Sequence, residues 1–417
     1  MLFERSRGLF RLLRDMILPS PKRKSIIIIP GPADPEMVNV HRVGSGKEIE
    51  SISVHDWIRD SCPSLRGIFK PSWWLWSGDL QTIYNVLGNF TLIDPVTYSR
   101  TLLETVDNGT LGLDFVVNSF TPAEDTPVLI IAHGLTGGSY ESYVRNVMAH
   151  ATKDKVLGGL GLRGVVVNFR GCADVPVTSA QLYSAGYTDD FRTAVLHISQ
   201  KYPNAPLLGC GFSLGAGVLA RFVAEEGAHC ILKSATVVSA PWDCPGMSAR
   251  LDATFFSRQV YSRSMGTNIL NIFNKIIKSP ASAEIFAHPE SRIARHIAFI
   301  KKMWRPTLRE TDEVVVSTVG GSPECFPFPN AEAYYQWASP QNKLHQIAIP
   351  TLCISAFDDP IIPGDMLPIE KFSKSSHAVL AVIGGGEGKY VGFKIKEQDE
   401  GGGPFKWVAK KRVFVDV

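Results

Sequence analysis

The chain has 417 residues, 45% of them hydrophobic and 20% charged, with a formal net charge of +3. That balance belongs to folded globular proteins and excludes a disordered chain, and so small a charge gives no electrostatic footing for nucleic acid. Seven cysteines scattered from Cys62 to Cys353 form no C-x-x-C pair and no metal-ligand spacing, which reads as reduced, buried thiols in a cytoplasmic compartment.

At the N-terminus, Leu2, Phe3, Leu9, Phe10, Leu13 and Ile17 alternate with Arg5, Arg7, Arg11 and Arg14, and Pro21-Lys22-Arg23-Lys24 follows. This is the pattern of a short basic amphipathic helix, with no apolar run near the roughly 20 residues that span a bilayer. Peripheral membrane contact through residues 1–24 is one reading. A cover helix over the domain is another, and a targeting peptide a third. Residues 1–70 read as an N-terminal extension and 71–417 as one domain.

Beyond the extension, residues 111–117 alternate in the manner of an antiparallel edge strand. Short runs apolar on both faces then recur at 128–132 (VLIIA), 164–169 (GVVVNF), 206–211 (PLLGCG), 235–240 (ATVVSA), 351–355 (TLCIS) and 378–383 (AVLAVI). Such runs suit strands buried inside a parallel sheet. Helical stretches separate them: Thr188 stands as an N-cap before Asp189 and Asp190, with Phe191, Val195 and Ile198 as the apolar stripe. The β-α-β rhythm predicts an α/β class, a mostly parallel doubly wound sheet. It breaks over about 242–348, where residues 250–277 repeat Leu251, Phe255, Val260, Ile269, Ile272 and Ile276 at helical spacing, before an aromatic and Pro-rich stretch. An insertion there predicts a helical cap over the ligand-binding edge; a purely structural helical subdomain is the other reading.

The chemistry concentrates in three loops. Gly211-Phe212-Ser213-Leu214-Gly215 lies between a buried strand and a helical stretch at 216–225, the strand–turn–helix context of a nucleophile elbow. There Ser213 is the nucleophile and the Leu214 amide an oxyanion donor. His133-Gly134-Leu135-Thr136-Gly137-Gly138 follows the VLIIA strand and offers the Leu135 amide as the second donor. His133 reads as a residue that orients this loop or as an ordinary loop histidine. Asp358-Asp359-Pro360 follows the TLCIS strand, and chain order makes Asp359 the triad acid.

These motifs, with Gly78-Asp79-Leu80-Gln81-Thr82, Asn168-Phe169-Arg170-Gly171 and Gly186-Tyr187-Thr188-Asp189-Asp190, resemble the α/β-hydrolase family. The branch is that of the fungal medium-chain fatty-acid ethyl ester synthase/esterases, the bacterial YheT-type hydrolases and animal phospholipid-acting relatives. The resemblance runs from about residue 71 to the end. It implies an α/β-hydrolase fold and hydrolysis of acyl or lipid esters, or acyl transfer to an alcohol, with no cofactor and no metal.

This chain departs from the family pattern twice. Asp79 replaces the histidine of G-H-L-Q-T. After the last strand the family places G-G-H, its general base, where this chain has Gly388-Lys389-Tyr390-Val391, so Tyr390 stands at the base position. With a reference pKa near 10 it is a weak base at neutral pH. Lys389 would need a strongly lowered pKa to serve. His377, the one histidine after Asp359, opens the last strand and lies roughly 20 Å from that strand's far end. The reading is an esterase acting through a Ser213 acyl-enzyme on a small acyl ester or lipid. Its alternative is a catalytically impaired hydrolase fold that binds such a ligand.

Overall fold

In a computed structural model the described residues are 24–41, 49–278 and 280–384. The expected N-terminal amphipathic helix, Lys389 and Tyr390 lie outside them.

Twelve strands occur among these residues: β1 (Lys24–Ile28), β2 (Met37–His41), β3 (Ile49–Ser53), β4 (Ile68–Phe69), β5 (Tyr98–Glu104), β6 (Thr110–Val116), β7 (Val128–Ala132), β8 (Arg163–Asn168), β9 (Leu207–Phe212), β10 (Leu232–Val238), β11 (Thr351–Ala356) and β12 (Ala378–Ile383). Ten of them form one sheet in the order β4-β1-β12-β11-β10-β9-β7-β8-β6-β5. The six from β12 to β8 run parallel, and the outer pairs at both ends are antiparallel. This is the expected mostly parallel sheet, and its strand order reverses at β9 and β7. Two expectations change. The 111–117 strand is not an edge, because β5 pairs outside it. Part of the stretch set apart as an extension joins the sheet through β1, with Ile27 opposite Val382, and through β4.

The helices used below are α1 (Val54–Ser61), α2 (Gly78–Leu87), α3 (Ser142–Ala151), α4 (Asp189–Lys201), α5 (Leu214–Glu226), α6 (Cys244–Ala253), α7 (Arg263–Lys278) and α8 (Ala331–Ala338). Successive side chains of a strand point to opposite faces, and the core divides accordingly. Val128, Ile130 and Ala132 pack with α4 and α5 on one face, while Leu129 and Ile131 pack with Val144, Val147 and Met148 of α3 on the other. β12 does the same, sending Leu380 and Val382 one way and Val379 and Ala381 toward Val54 and Ile58 of α1. Phe191, Val195 and Ile198 are fully buried, as the stripe requires, and each contributes roughly 1.5–3 kcal/mol by leaving water. Thr188 does not cap α4. Its backbone is already helical and its hydroxyl donates to Glu225 instead.

Between β10 and β11 the described residues form helices joined by loops, with no strand among them. The continuous helix expected over 250–277 is broken at Thr254, whose extended backbone ends α6 and whose hydroxyl accepts from the Ser257 amide. The break turns Phe255 out to solvent. This layer has its own core, including Met247, Leu251, Tyr261, Tyr334 and Tyr335, and it packs on Leu135 and Ile361 at the sheet's carboxyl edge. Of the cysteines, Cys172, Cys210, Cys244 and Cys353 are buried, whereas Cys325 is exposed and Cys62 and Cys230 are half-buried, so the expectation of buried thiols holds for four.

Candidate active site

Ser213 follows β9 directly and opens α5 with φ 51° and ψ −118°, a backbone region that costs a non-glycine residue about 1–3 kcal/mol. Packing imposes it. A Cβ on Gly211 would come within 2.7 Å of Ala216 Cα, and one on Gly215 within 2.4 Å of the Ala132 and His133 carbonyl oxygens. The Ser213 amide donates to the Val238 carbonyl at 2.9 Å, and its own carbonyl accepts from Gly217 at 3.0 Å. The ends of β10 and β7 and the turn's own helix therefore hold it through backbone contacts.

The loop after β7 lies against this elbow: a Cβ on Gly134 would sit 3.5 Å from that of Ser213. Within the loop, the Gly134 amide donates to the Tyr143 hydroxyl at 2.9 Å and the Thr136 amide to the Tyr183 hydroxyl at 3.0 Å. The amide between them, that of Leu135, has no partner among the described residues. Leu214 stands at the first position of α5, where helical geometry leaves the N–H unpaired. Leu135, Ser213 and Leu214 line one cavity of about 830 Å³, its open mouth included. The rest of its wall is mostly apolar: Leu182, Met247, Met265, Ile269, Leu308 and Val316.

His133 is wholly buried, and its ring is used on both sides. Nδ1 donates to the Gly134 carbonyl at 2.7 Å, and Nε2 accepts from the Phe169 amide at 3.2 Å. Burial lowers its pKa to about 4. It is a neutral strut of the loop, which matches the orienting reading. His377 lies at the opposite end of β12, beside Thr351, with Glu36 3.7 Å from its Nε2.

Asp359 sits two strands from the elbow, past β11. Its Oδ1 accepts from the amides of Ile361 at 2.8 Å and Ile362 at 3.0 Å, and both of these residues line the cavity. Burial raises its pKa, opposed by those two amides and reinforced by Asp358 and Asp79. The G-D-L-Q-T motif explains the neighbours. The Gly78 amide donates to Asp358 Oδ2 at 2.9 Å, and a Cβ there would lie 1.9 Å from the Asp358 carbonyl oxygen. Asp79 accepts from the Tyr261 hydroxyl at 2.5 Å, so the helix start fastens the acid loop on one side and the cap on the other.

The remaining motifs are scaffold. Arg170 is buried, donating to Asp190 through Nε and Nη2 at 2.7 Å and to Asp107 at 2.6 Å. Asn168 accepts from the Ser139 amide at 2.9 Å, tethering the end of the loop after β7. Sequence reasoning missed Asp312. It is a buried carboxyl in the cavity wall, hydrogen-bonded by the Tyr335 hydroxyl at 2.7 Å, and its pKa is raised by burial to about 7. No local signal distinguishes it within Leu308-Arg309-Glu310-Thr311-Asp312.

The sheet order, the elbow and the cap define the class, and residues 127–388 match the alpha/beta hydrolase fold family; the chain belongs to that family. It is 28% identical over 334 residues to an abhydrolase domain-containing protein of Dictyostelium discoideum, covering 78% of this chain and 77% of the relative. It is 28% identical over 346 residues to phospholipase ABHD3 of Homo sapiens, covering 81% and 76%. To monoacylglycerol lipase of Saccharomyces cerevisiae it is 28% identical over 341 residues, covering 73% and 72%.

Proposed function

We propose that this chain is a serine hydrolase that cleaves carboxylic esters of acyl chains or lipids through an acyl-enzyme on Ser213. That it is an ester hydrolase accords with its family and with relatives named for lipid-ester cleavage over most of their length. The observation that carries the serine chemistry is the elbow: Ser213 held at φ 51° beside two unpaired amides, on the wall of an apolar cavity.

In the first step Ser213 Oγ attacks the ester carbonyl carbon and gives up its proton to a base. The carbonyl oxygen becomes an oxyanion between the Leu135 and Leu214 amides. Collapse breaks the bond to the alcohol, which leaves with a proton, and water then releases the acid and regenerates Ser213. An alcohol in place of water would transfer the acyl group instead. Asp359 is the carboxyl that orients the base. His133 is excluded as that base because both ring nitrogens are engaged, and the base position itself, Tyr390, lies outside the described residues.

The test is fluorophosphonate labelling and p-nitrophenyl octanoate turnover for the wild type, Ser213→Ala and Tyr390→His. Labelling and turnover that vanish with Ser213→Ala support the reading. A wild type that neither labels nor turns over, while Tyr390→His does both, leaves an intact pocket without its base and sinks the activity as a natural one. Adding ethanol and measuring ethyl octanoate against octanoate separates transfer from hydrolysis.

A further inference from the structure

A run of large apolar side chains stands in solvent on the segment that reaches from the Asp358 loop and the cap to α3. Trp73, Leu87 and Leu92 are 85%, 79% and 93% exposed, and Trp74 and Val86 are exposed beside them. They belong to one packed unit. Trp74 meets Tyr84 edge-on at 4.8 Å, and Tyr84 meets Phe90 at 5.2 Å. Arg145 pins the following turn by donating to the carbonyls of Phe90, Thr91 and Ile93. The band continues onto the cap: Asp79 bonds Tyr261, whose ring packs 5.9 Å from that of Phe256, next to the 82%-exposed Phe255.

Its charge is one-sided. Between Cys62 and Ile93 the only acid is Asp79, which is engaged by Tyr261, while Arg66 and Lys70 are exposed. Contiguous exposed apolar surface marks an interaction site. Tryptophans in it, flanked by bases and free of open carboxylates, match the headgroup layer of an anionic bilayer.

We propose that this face, residues 66–93 with Phe255, docks on an anionic phospholipid surface and presents the cavity mouth to it. The choice of a lipid occupant rests on the ester chemistry proposed above. Through Gly78 and Asp79 the same segment holds the Asp358–Asp359 loop and the cap, so a docked face sets the cavity entrance against the membrane. A lipid ester then passes into it without crossing water.

The test is sedimentation of the full chain with phosphatidylcholine vesicles, with and without phosphatidylserine. The wild type is compared with Trp73→Ser/Leu87→Ser/Leu92→Ser, three exposed positions whose change leaves the core intact. Val156→Ser/Leu157→Ser, 86% and 61% exposed but at the amino edge of the parallel strands, is the control. Expected are binding that strengthens with phosphatidylserine, a loss of at least about tenfold in the triple variant, and no change in the control. A triple variant that binds as the wild type does overturns the proposal. So does a wild type that ignores both vesicles, including one that forms a dimer which the triple variant splits. Measuring p-nitrophenyl octanoate turnover of the same wild-type protein keeps the two readings apart: vesicle binding without ester turnover sinks the chemistry and leaves the docking face standing.

Discussion

The elbow after β9 and the acid loop after β11 leave the same edge of the same sheet, yet they are held by different means. Ser213 is positioned by backbone: two glycines with no room for a Cβ, an amide bonded to the β10 end, and a helix starting at once. Asp359 is positioned by its own loop's amides and, through its neighbour Asp358, by a distant helix start. The elbow is over-determined and tolerates strain. The acid loop depends on partners from elsewhere in the chain, and its carboxyl is destabilised by burial and by two nearby acids. A backbone-built feature survives whatever happens to side chains around it, whereas a side-chain-built one is only as good as its partners.

Four changes test that contrast. The largest effect belongs to Ser213→Ala, which takes fluorophosphonate labelling to background while the melting temperature stays level, because Ala keeps the same backbone strain and the Ser213 side chain makes no helix-capping bond to lose. Retained labelling would place the nucleophile elsewhere. Next, Gly215→Ala drives a methyl into the Ala132 and His133 carbonyls and lowers stability by roughly 3 kcal/mol, read by urea denaturation. A loss well under about 1 kcal/mol would mean the elbow relaxes and is not over-determined.

The cap supplies the third. The folded pKa of Asp312 is about 7, above the value near 4 of a carboxyl in an unfolded chain. The folded state thus holds a proton that the unfolded state releases, and the contribution to stability falls as pH rises from about 4 to about 7. Asp312→Asn, which still accepts from Tyr335, flattens this slope. Relative to the wild type it is more stable at about pH 8 than at about pH 4, and parallel stability curves would refute the assignment. Smallest is Tyr261→Phe, which removes the tie between cap and Asp79 at a cost of about 1 kcal/mol. Because Asp79 and Tyr261 flank the acid loop rather than the elbow, labelling of Ser213 is expected to survive this change.

Much of this was legible in sequence, for local reasons. A run such as VLIIA carries its own burial on both faces, and G-F-S-L-G carries its turn, so β7, β9, β12 and the elbow were found where they were expected. Boundaries slipped where tertiary partners decide: Thr188 spends its hydroxyl on Glu225 rather than on the helix end, and Thr254 breaks a pattern that periodicity alone joins. The added strands β1 and β4 were missed because β1 pairs antiparallel with an edge 355 residues away in the chain, Ile27 opposite Val382, and β4 pairs only with β1.

By itself, then, the sequence determined the sheet's buried strands, the strand–turn–helix at Ser213 and the order of the three loops that carry the proposed site, since each rests on residues within one short segment. Only the tertiary structure decided that the Leu135 amide has no partner among the described residues, that His133 is a strut, that Arg170 belongs to Asp190 and Asp107, and that a buried Asp312 lines the cavity. Those facts depend on which groups of distant segments meet, and hydrogen-bond partners and burial are properties of that meeting rather than of any one stretch of chain.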